Sequence, residues 1–366
     1  MKQQLSLYVV FAFQSLVCLP AMAQNTLTVP MEIVRISNPD LSAVSRGSVT
    51  LYRLQPQYTI QMRDGSSRTE LSLGGTIERS SNTDLSADRS LPSVGVFWET
   101  SSPVVVFGLR ASLEEASTRE TEFAEFGRVT LDTTQRTGTL GGTWTRDLLA
   151  GSSLELAASH ARVSYDTPLL VDYSETRGSV AYRFESDDRS RYSLTASAAS
   201  LNPDAGGQRA QRSGLEVGYT LDVSEGLTLN AALGAVRTTA PQRKVHPVGA
   251  LRLAYDGERV GYALAWTRAV SASASLVGYA RADVFDASLT YPFTPSTAFS
   301  LGLVHARSLE ADRDAGATAY ARVRSQLTQF WALTIGLEHR RAMPNGGPTA
   351  QGNAVAVGFV YAHPDF

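Results

Sequence analysis

The feature that most constrains the fold is an alternation of large apolar residues with small or polar residues, repeated over almost the whole chain. One such stretch places on a single side of the chain the residues Trp331, Leu333, Ile335 and Leu337. A period of two is that of a β-strand, whose side chains point alternately to the two faces of a sheet. After position 23 no window of about 18 apolar residues occurs, so no membrane helix is expected there. The chain is therefore predicted to be all-β.

The number and the length of the strands separate a soluble sandwich from a membrane barrel. Both place apolar residues on one face, but most strands here are longer than is usual in globular proteins, and no helical break interrupts them. The pattern predicts strands at 30–38, 47–61, 67–80, 91–99, 103–115, 131–147, 152–165, 173–186, 189–201, 209–222, 226–239, 246–256, 259–270, 276–292, 296–308, 315–328, 330–342 and 352–363. We expect a transmembrane antiparallel up-and-down β-barrel of about 18 strands (roughly 16 to 18), with both termini at one end.

Short breaks alternate with longer polar segments along the chain, as short periplasmic turns and longer extracellular loops would. The longer segments are 80–90, 115–130, 165–173, 202–211, 239–246, 309–316 and 343–352. None of them is recognisable as an acid-rich loop that would fold into the lumen and narrow it. Aromatic residues close to the short turns predict a girdle at the membrane interface, formed by Tyr182, Phe184, Tyr219, Tyr255, Tyr262 and Tyr291.

The first 23 residues have the pattern of a secretory signal peptide. Lys2 is followed by the apolar run 7–19, and Ala21-Met22-Ala23 is a small-x-small cleavage pattern. We expect export through the Sec pathway, cleavage after Ala23, a short periplasmic segment at 24–29, a single barrel domain at 30–366, and a location in the outer membrane. Cys18 is the only cysteine and lies inside this peptide, so no disulfide framework is expected. A lipoprotein is disfavoured because Val17 precedes that cysteine.

Charge and motifs argue against nucleic-acid binding and against enzyme chemistry. The formal net charge is −2, and the chain has no polybasic patch. The five histidines form no recognisable nucleophile–base pair or metal-ligand spacing. His160 follows Ser159 directly, and neighbouring side chains on a strand point to opposite faces. We therefore expect no catalytic residue, no metal site and no cofactor.

A barrel of this size is wide enough to hold an aqueous lumen. The charged residues expected to face that lumen are Arg110, Glu114, Glu155, Glu216, Arg322, Arg324, Glu338 and Arg340. They have two interpretations. In one, they form ion pairs that satisfy one another along the wall. In the other, the arginines guide an anionic, hydroxyl-rich solute, because guanidinium groups suit carboxylates and phosphates.

Several short motifs carry a family resemblance that covers most of the chain. They are Ser37-Asn38-Pro39-Asp40-Leu41, the run 52–58, Phe126-Gly127-Arg128-Val129, Thr143-Trp144-Thr145-Arg146, Val163-Ser164-Tyr165 and Asp172-Tyr173. In these the chain resembles outer-membrane barrels encoded with exopolysaccharide biosynthesis systems. The resemblance implies export or surface assembly of a polysaccharide, together with a periplasmic export protein. A general or solute-specific porin is the first alternative, and a barrel enzyme acting on outer-membrane lipid is the second.

The C-terminal segment resembles the signal that barrel-assembly machinery recognises. Its alternating apolar residues are Val355, Val357, Phe359 and Tyr361. We expect outer-membrane lipid and the assembly machinery to be partners of the chain. Truncation after Tyr361 is predicted to leave insertion intact, whereas aspartate at both Phe359 and Tyr361 is predicted to abolish it.

Overall fold

A computed structural model describes residues 23–126, 131–149, 151–204, 207–240, 243–273, 278–310 and 314–364. This part of the chain forms one antiparallel sheet and one helix, α1 (Thr118–Phe126). The strands are β1 (Gln24–Ser37), β2 (Ser48–Leu54), β3 (Gln57–Asp64), β4 (Ser67–Ser80), β5 (Arg89–Ser101), β6 (Val105–Ser117), β7 (Thr134–Leu149), β8 (Ser152–Tyr165), β9 (Tyr173–Asp187), β10 (Ser190–Pro203), β11 (Ala210–Ser224), β12 (Leu227–Thr238), β13 (Lys244–Asp256), β14 (Gly261–Ser273), β15 (Gly278–Thr294), β16 (Thr297–Ser308), β17 (Ala315–Gln326), β18 (Trp331–Met343) and β19 (Ala350–His363).

The sheet closes on itself because β1 pairs with the last strand as well as with the next ones. On one side Met31 lies opposite Phe359 of β19, and on the other it lies opposite Leu54 of β2. Closure gives every described strand a hydrogen-bonded neighbour on each side, which lipid cannot supply. The predicted transmembrane up-and-down barrel is confirmed.

β2 and β3 occupy a single position in the barrel. Both pair with β1 and with β4, and the register continues unchanged from one to the other. They are separated by Pro56, which has no N–H to donate to the ladder. Its carbonyl still accepts a hydrogen bond from Gly75 N at 3.1 Å. The barrel therefore has 18 strand positions, as the alternation predicted.

Short turns gather at one end of the barrel and longer connections at the other, called here the turn end and the loop end. The turns include 65–66, 188–189 and 225–226, whereas the loops include 38–47 and 118–133. The strand β1 starts at Gln24, so the separate segment predicted at 24–29 is instead the first part of β1. The reason is that its backbone finds partners in β3, where Gln24 lies opposite Gln61. The predicted signal peptide lies outside the described residues except for Ala23, and its cleavage stays a prediction.

The two faces of the barrel differ in chemistry. The outward face carries exposed large apolar residues, among them Val96, Leu113 and Leu233. Close to the turns, aromatic rings pair across neighbouring strands, with ring centroids 4.9 Å apart for Tyr192 and Tyr219, and 5.3 Å apart for Tyr255 and Tyr262. Rings with one apolar and one polar end suit the boundary between lipid and water.

The loop predicted at 115–130 contains the helix α1, so the expectation of a chain without a helical break is wrong. Its sequence, TRETEFAEF, is acidic and carries two buried phenylalanines, Phe123 and Phe126. Within the described part of the chain, no helix has the length and hydropathy of a membrane span.

Candidate functional site

The helix α1 crosses the lumen. It follows β6 and contacts β15, β16 and β17, which lie on the other side of the ring of strands. Its last residue, Phe126, packs against Ala280 and Ala282 of β15. Because α1 bears Glu120, Glu122 and Glu125 among its nine residues, it is an acid-rich interior loop. The expectation that the chain lacks one is therefore wrong, and the buried phenylalanines were the sequence signal for it.

Hydrogen bonds fix the first residue of α1. The hydroxyl of Thr118 accepts a hydrogen bond from Thr133 N at 2.9 Å and donates to the carbonyl of Leu131. Thr118 is completely buried. A threonine hydroxyl commonly satisfies backbone groups at the start of a helix. Here it also ties the two ends of the loop 118–133 together, so the helix starts at a fixed point.

A second anchor is a shared carboxylate. Asp132 accepts from Arg119 of α1 at 2.5 Å and also from Arg89 of β5. The side chains of both arginines are buried, with 9% and 8% of their surface exposed. Burial lowers the pKa of Arg119 from its ordinary value, while the charge of Asp132 opposes the shift. An arginine stays charged under these conditions. Asp132, Arg89 and Arg119 therefore form an ionic cluster, called here the clasp, that fixes the start of α1 to β5.

The clasp continues along the wall into β2 and β4. Arg53 Nε donates to Glu78 Oε2 at 2.5 Å, and its Nη2 lies 3.3 Å from Glu120 Oε1 of α1. Glu78 is 4% exposed and lies 3.9 Å from Arg89. A buried carboxylate needs such partners, because removal from water is costly for an isolated charge. The network therefore holds one side of α1 against β2, β4 and β5.

The far end of α1 is held differently. Glu125 forms a side-chain hydrogen bond with Ser271 of β14. Burial raises the pKa of Glu125, and the neighbouring charge of Glu122 raises it further. The protonated carboxylic acid is thereby favoured relative to an exposed glutamate.

The described part of a hairpin tip, 269–273 of β14 and 278–282 of β15, also enters the lumen. β14 pairs with β13 only as far as Arg268, opposite Gly249, and beyond this point pairs with β15 alone. Val270 and Tyr279 of this tip pack against the inner-wall residues Leu201, Ala210 and Val248. Its other face meets α1 through Ser271 and Ala280. The hairpin is thus packed between the wall and the helix.

An ionic group surrounds Tyr279 at this level. Its hydroxyl donates to Glu175 Oε1 at 3.1 Å, and Glu175 lies 3.3 Å from Arg212. The guanidinium of Arg212 is 5.2 Å from the centroid of the Tyr279 ring. Residue spacing did not identify this group, because its members come together only when β14 and β15 fold inward.

The eight residues predicted to face the lumen alternate with outward apolar residues, so they lie on the inner side of their strands. Glu155 pairs with Arg183 at 2.8 Å, and Glu338 pairs with Arg340. The eight do not form one cluster. Glu338 and Arg340 line a small cavity beside α1. The remaining members, spread around the wall, are Glu114, Glu216, Arg322, Arg324 and Arg110.

Arg110 lines a depression in the inner wall that has a volume of about 280 Å³. On its row of the sheet Gly141 and Ser159 follow, and then Arg177. The two arginines flank a floor of small residues, which leaves room above it for a solute. Arg177, whose nearest carboxylate is Glu175 at 3.2 Å, was not among the predicted residues.

The described histidines form no catalytic arrangement. His160 lies on the outer face, 2.9 Å from Thr176 Oγ1, whereas its neighbour Ser159 lies on the inner face. His339 contacts Asn353 Oδ1 at 2.7 Å. Among the residues the structure describes, no group of three metal-binding side chains occurs.

Comparison with known proteins identifies the fold. No family model matches the sequence, and no curated protein matches it. Among solved structures, Pseudomonas aeruginosa OpdQ is 9% identical, with a TM-score of 0.52, over 94% of this chain and 98% of that one. P. aeruginosa OccK7 (OpdD) is 12% identical, with a TM-score of 0.53, over 94% and 100%. A BenF-like porin from P. fluorescens Pf-5 is 9% identical, with a TM-score of 0.55, over 94% and 99%.

The chain has the fold of an outer-membrane porin barrel. This fold and its neighbours point to the outer membrane. The expectation of polysaccharide export is wrong, because the barrels that match over nearly the whole chain are porins. The motifs that suggested it have structural roles. Asn38, for example, donates to the carbonyls of Ser42 and Gln351, and Asp40 pairs with Arg46. The motif at 126–129 lies outside the described residues except for Phe126.

Proposed function

We propose that this protein is a solute-specific porin that admits small anionic solutes. The observation that carries the proposal is the position of α1, which crosses the lumen and narrows it instead of leaving a wide pore. A narrowed passage selects by size and by the charged groups that line it. The neighbouring folds are those of substrate-specific porins, and one neighbour's structure is described as OpdK with vanillate, a carboxylate.

The inner-wall arginines support an anionic solute. Arg110 and Arg177 flank an open floor, and a guanidinium binds a carboxylate through two parallel hydrogen bonds. Arg322 and Arg324 are exposed toward the lumen on β17.

The test is ion selectivity of the refolded chain in a planar bilayer. We expect small, steady conductance with a preference for anions, and block by a small aromatic carboxylate such as benzoate. Replacing both arginines, as Arg110→Gln with Arg177→Gln, is expected to weaken the benzoate block about ten-fold. The matched control is Arg162→Gln, which removes an arginine from the outer face, where it pairs with Asp204 at 2.7 Å. Large conductance without ion preference would contradict the proposal, and so would equal block of both variants.

A further inference from the structure

The outer face of β17 differs from the outer faces of its neighbours near the loop end. Its outward residues are Ala315, Ala317, Ala319 and Ala321. The strands on both sides carry larger groups at the same level. Three leucines beside the alanines project farther from the outer face than the alanines do: Leu301 and Leu303 of β16, and Leu337 of β18. Ala319 and Ala321 line the middle of an apolar groove of about 820 Å³ in the outer wall, which reaches from β14 to β19 and is open toward the membrane.

Basic side chains gather at the upper end of this groove. On β16, His305 lies opposite Ala317 and Arg307 lies opposite Ala315. On β18, Arg341 lies opposite Ala317 and His339 lies opposite Ala319. The flanking strands are separated by β17 alone, so their backbones are about 10 Å apart. Side chains as long as arginine reach across that gap above an alanine floor.

The arginines are available to an external ligand. Both Arg307 and Arg341 are exposed. Within the described ranges, neither guanidinium forms an ion pair with a carboxylate. Asp283 faces Arg307 across the sheet, but both of its oxygens are held by Arg268, at 2.7 and 2.8 Å. Asp314, which precedes Ala315, accepts a hydrogen bond from Asn345 N at 3.0 Å. The groove end therefore carries two arginines that no described carboxylate pairs.

We propose that this surface, defined by Arg307 and Arg341 above the alanine face of β17, binds lipid A of the outer leaflet. The loop end of an outer-membrane barrel faces the outside, where lipid A presents phosphate groups just above its acyl chains. The guanidinium groups hold a phosphate through charge-assisted hydrogen bonds, and an acyl chain lies in the groove between the leucines. The basic end of the surface thus matches the phosphate groups of lipid A, and the apolar groove matches one of its acyl chains.

Other outward arginines at the loop end do not form such a surface. Arg136 pairs with Glu115 at 2.5 Å, and Arg162 pairs with Asp204 at 2.7 Å. Their charges are already neutralised by side chains of the protein. Arg136 and Arg162 are therefore suitable controls. Like Arg307 and Arg341 they lie on the outer face at the loop end, but each already has an ion-pair partner.

The experiment is native mass spectrometry of the full chain, refolded in detergent and mixed with bisphosphorylated lipid A, with dephosphorylated lipid A or with phosphatidylglycerol. We expect a one-to-one adduct with bisphosphorylated lipid A. Replacing both arginines, as Arg307→Gln with Arg341→Gln, is expected to lower the bound fraction about ten-fold. The control pair Arg136→Gln with Arg162→Gln is expected to bind as the original chain does.

A second variant tests the groove and leaves the arginines in place. Ala319→Leu with Ala321→Leu fills the floor between Leu303 and Leu337, so the adduct is expected to weaken although the phosphate ligands remain. A heat-dependent gel shift establishes that each variant is folded. Undiminished binding by the arginine variant, or equal binding of dephosphorylated lipid A, would overturn the proposal. Equal binding of phosphatidylglycerol would overturn the assignment to lipid A.

Discussion

Phe126, the last residue of α1, packs against Ala280 of β15, on the opposite side of the barrel from the strand that leads into the helix. This contact makes α1 a bridge across the lumen. Phe126 is 5% exposed and Ala280 is 1% exposed. A contact so deeply buried is specific to the inward position of the helix, and its loss is expected to release the far end of α1.

Replacing Phe126 with alanine is expected to open the passage. Removal of a buried phenylalanine costs about 3 kcal/mol of the energy that holds the helix in place, which raises the population of displaced helices roughly a hundred-fold. Single-channel recordings should show a larger and noisier conductance. The control is Phe293→Ala, because Phe293 is 61% exposed on the outer face near the turn end. An unchanged conductance in Phe126→Ala would show that α1 does not limit the passage.

Replacing Asp132 with asparagine is expected to detach the near side of α1. The change leaves Arg89 and Arg119 without the carboxylate that they share, at a cost of about 2 kcal/mol, since Asp132 is partly exposed. Limited proteolysis should then cut the loop 118–133 faster. Asp204→Asn serves as the control, because its pair with Arg162 is exposed and contributes about 0–1 kcal/mol. Cleavage at the original rate would argue that the clasp does not hold the helix.

The raised pKa of Glu125 predicts that acid strengthens the docking of α1. A carboxyl group whose pKa is higher in the docked helix than in the released helix stabilises the docked state. This stabilisation is complete below the pKa of the released state and is lost as the pH rises through the pKa of the docked state. Conductance should therefore fall as the pH is lowered through that range.

Glu125→Gln tests the assignment of this pH effect. The amide resembles the protonated acid, so the variant is expected to show the low-pH conductance already at neutral pH and to lose the pH dependence. Glu225→Gln, in the turn 225–226, is the control and should keep the dependence of the original chain. A pH response that survives in Glu125→Gln would assign it to another group.

The last strand, β19, is expected to be needed for assembly of the barrel. Phe359 lies opposite Met31 and Tyr361 lies opposite Val29, where β19 closes the barrel on β1. Aspartate at both positions would place charge on the lipid-facing side and is expected to abolish insertion. Truncation after Tyr361 removes His363, whose ring stacks on Phe330 at 4.8 Å, and is expected to leave insertion intact. Surface assembly of the double aspartate variant at the original level would refute this, and protease accessibility on whole cells measures it.

The sequence by itself determined the barrel. The period of two and the spacing of polar breaks gave the strand positions closely, because alternation is a local property that each strand carries independently. Even the single position shared by β2 and β3 followed from one long alternating run, although Pro56 interrupts its hydrogen bonding. The inward face of Arg110 and of the other candidate residues follows from the same parity.

Only the tertiary structure decided what the lumen contains. Whether a polar loop points outward or folds inward depends on partners that are remote in sequence, such as Asp132 for Arg89 and Ala280 for Phe126. Likewise, the described ends of β14 and β15 can turn inward because β13 stops pairing with β14 at Arg268. Local pattern carries no information on such contacts, since they form only after the barrel has closed and set opposite walls within reach of each other.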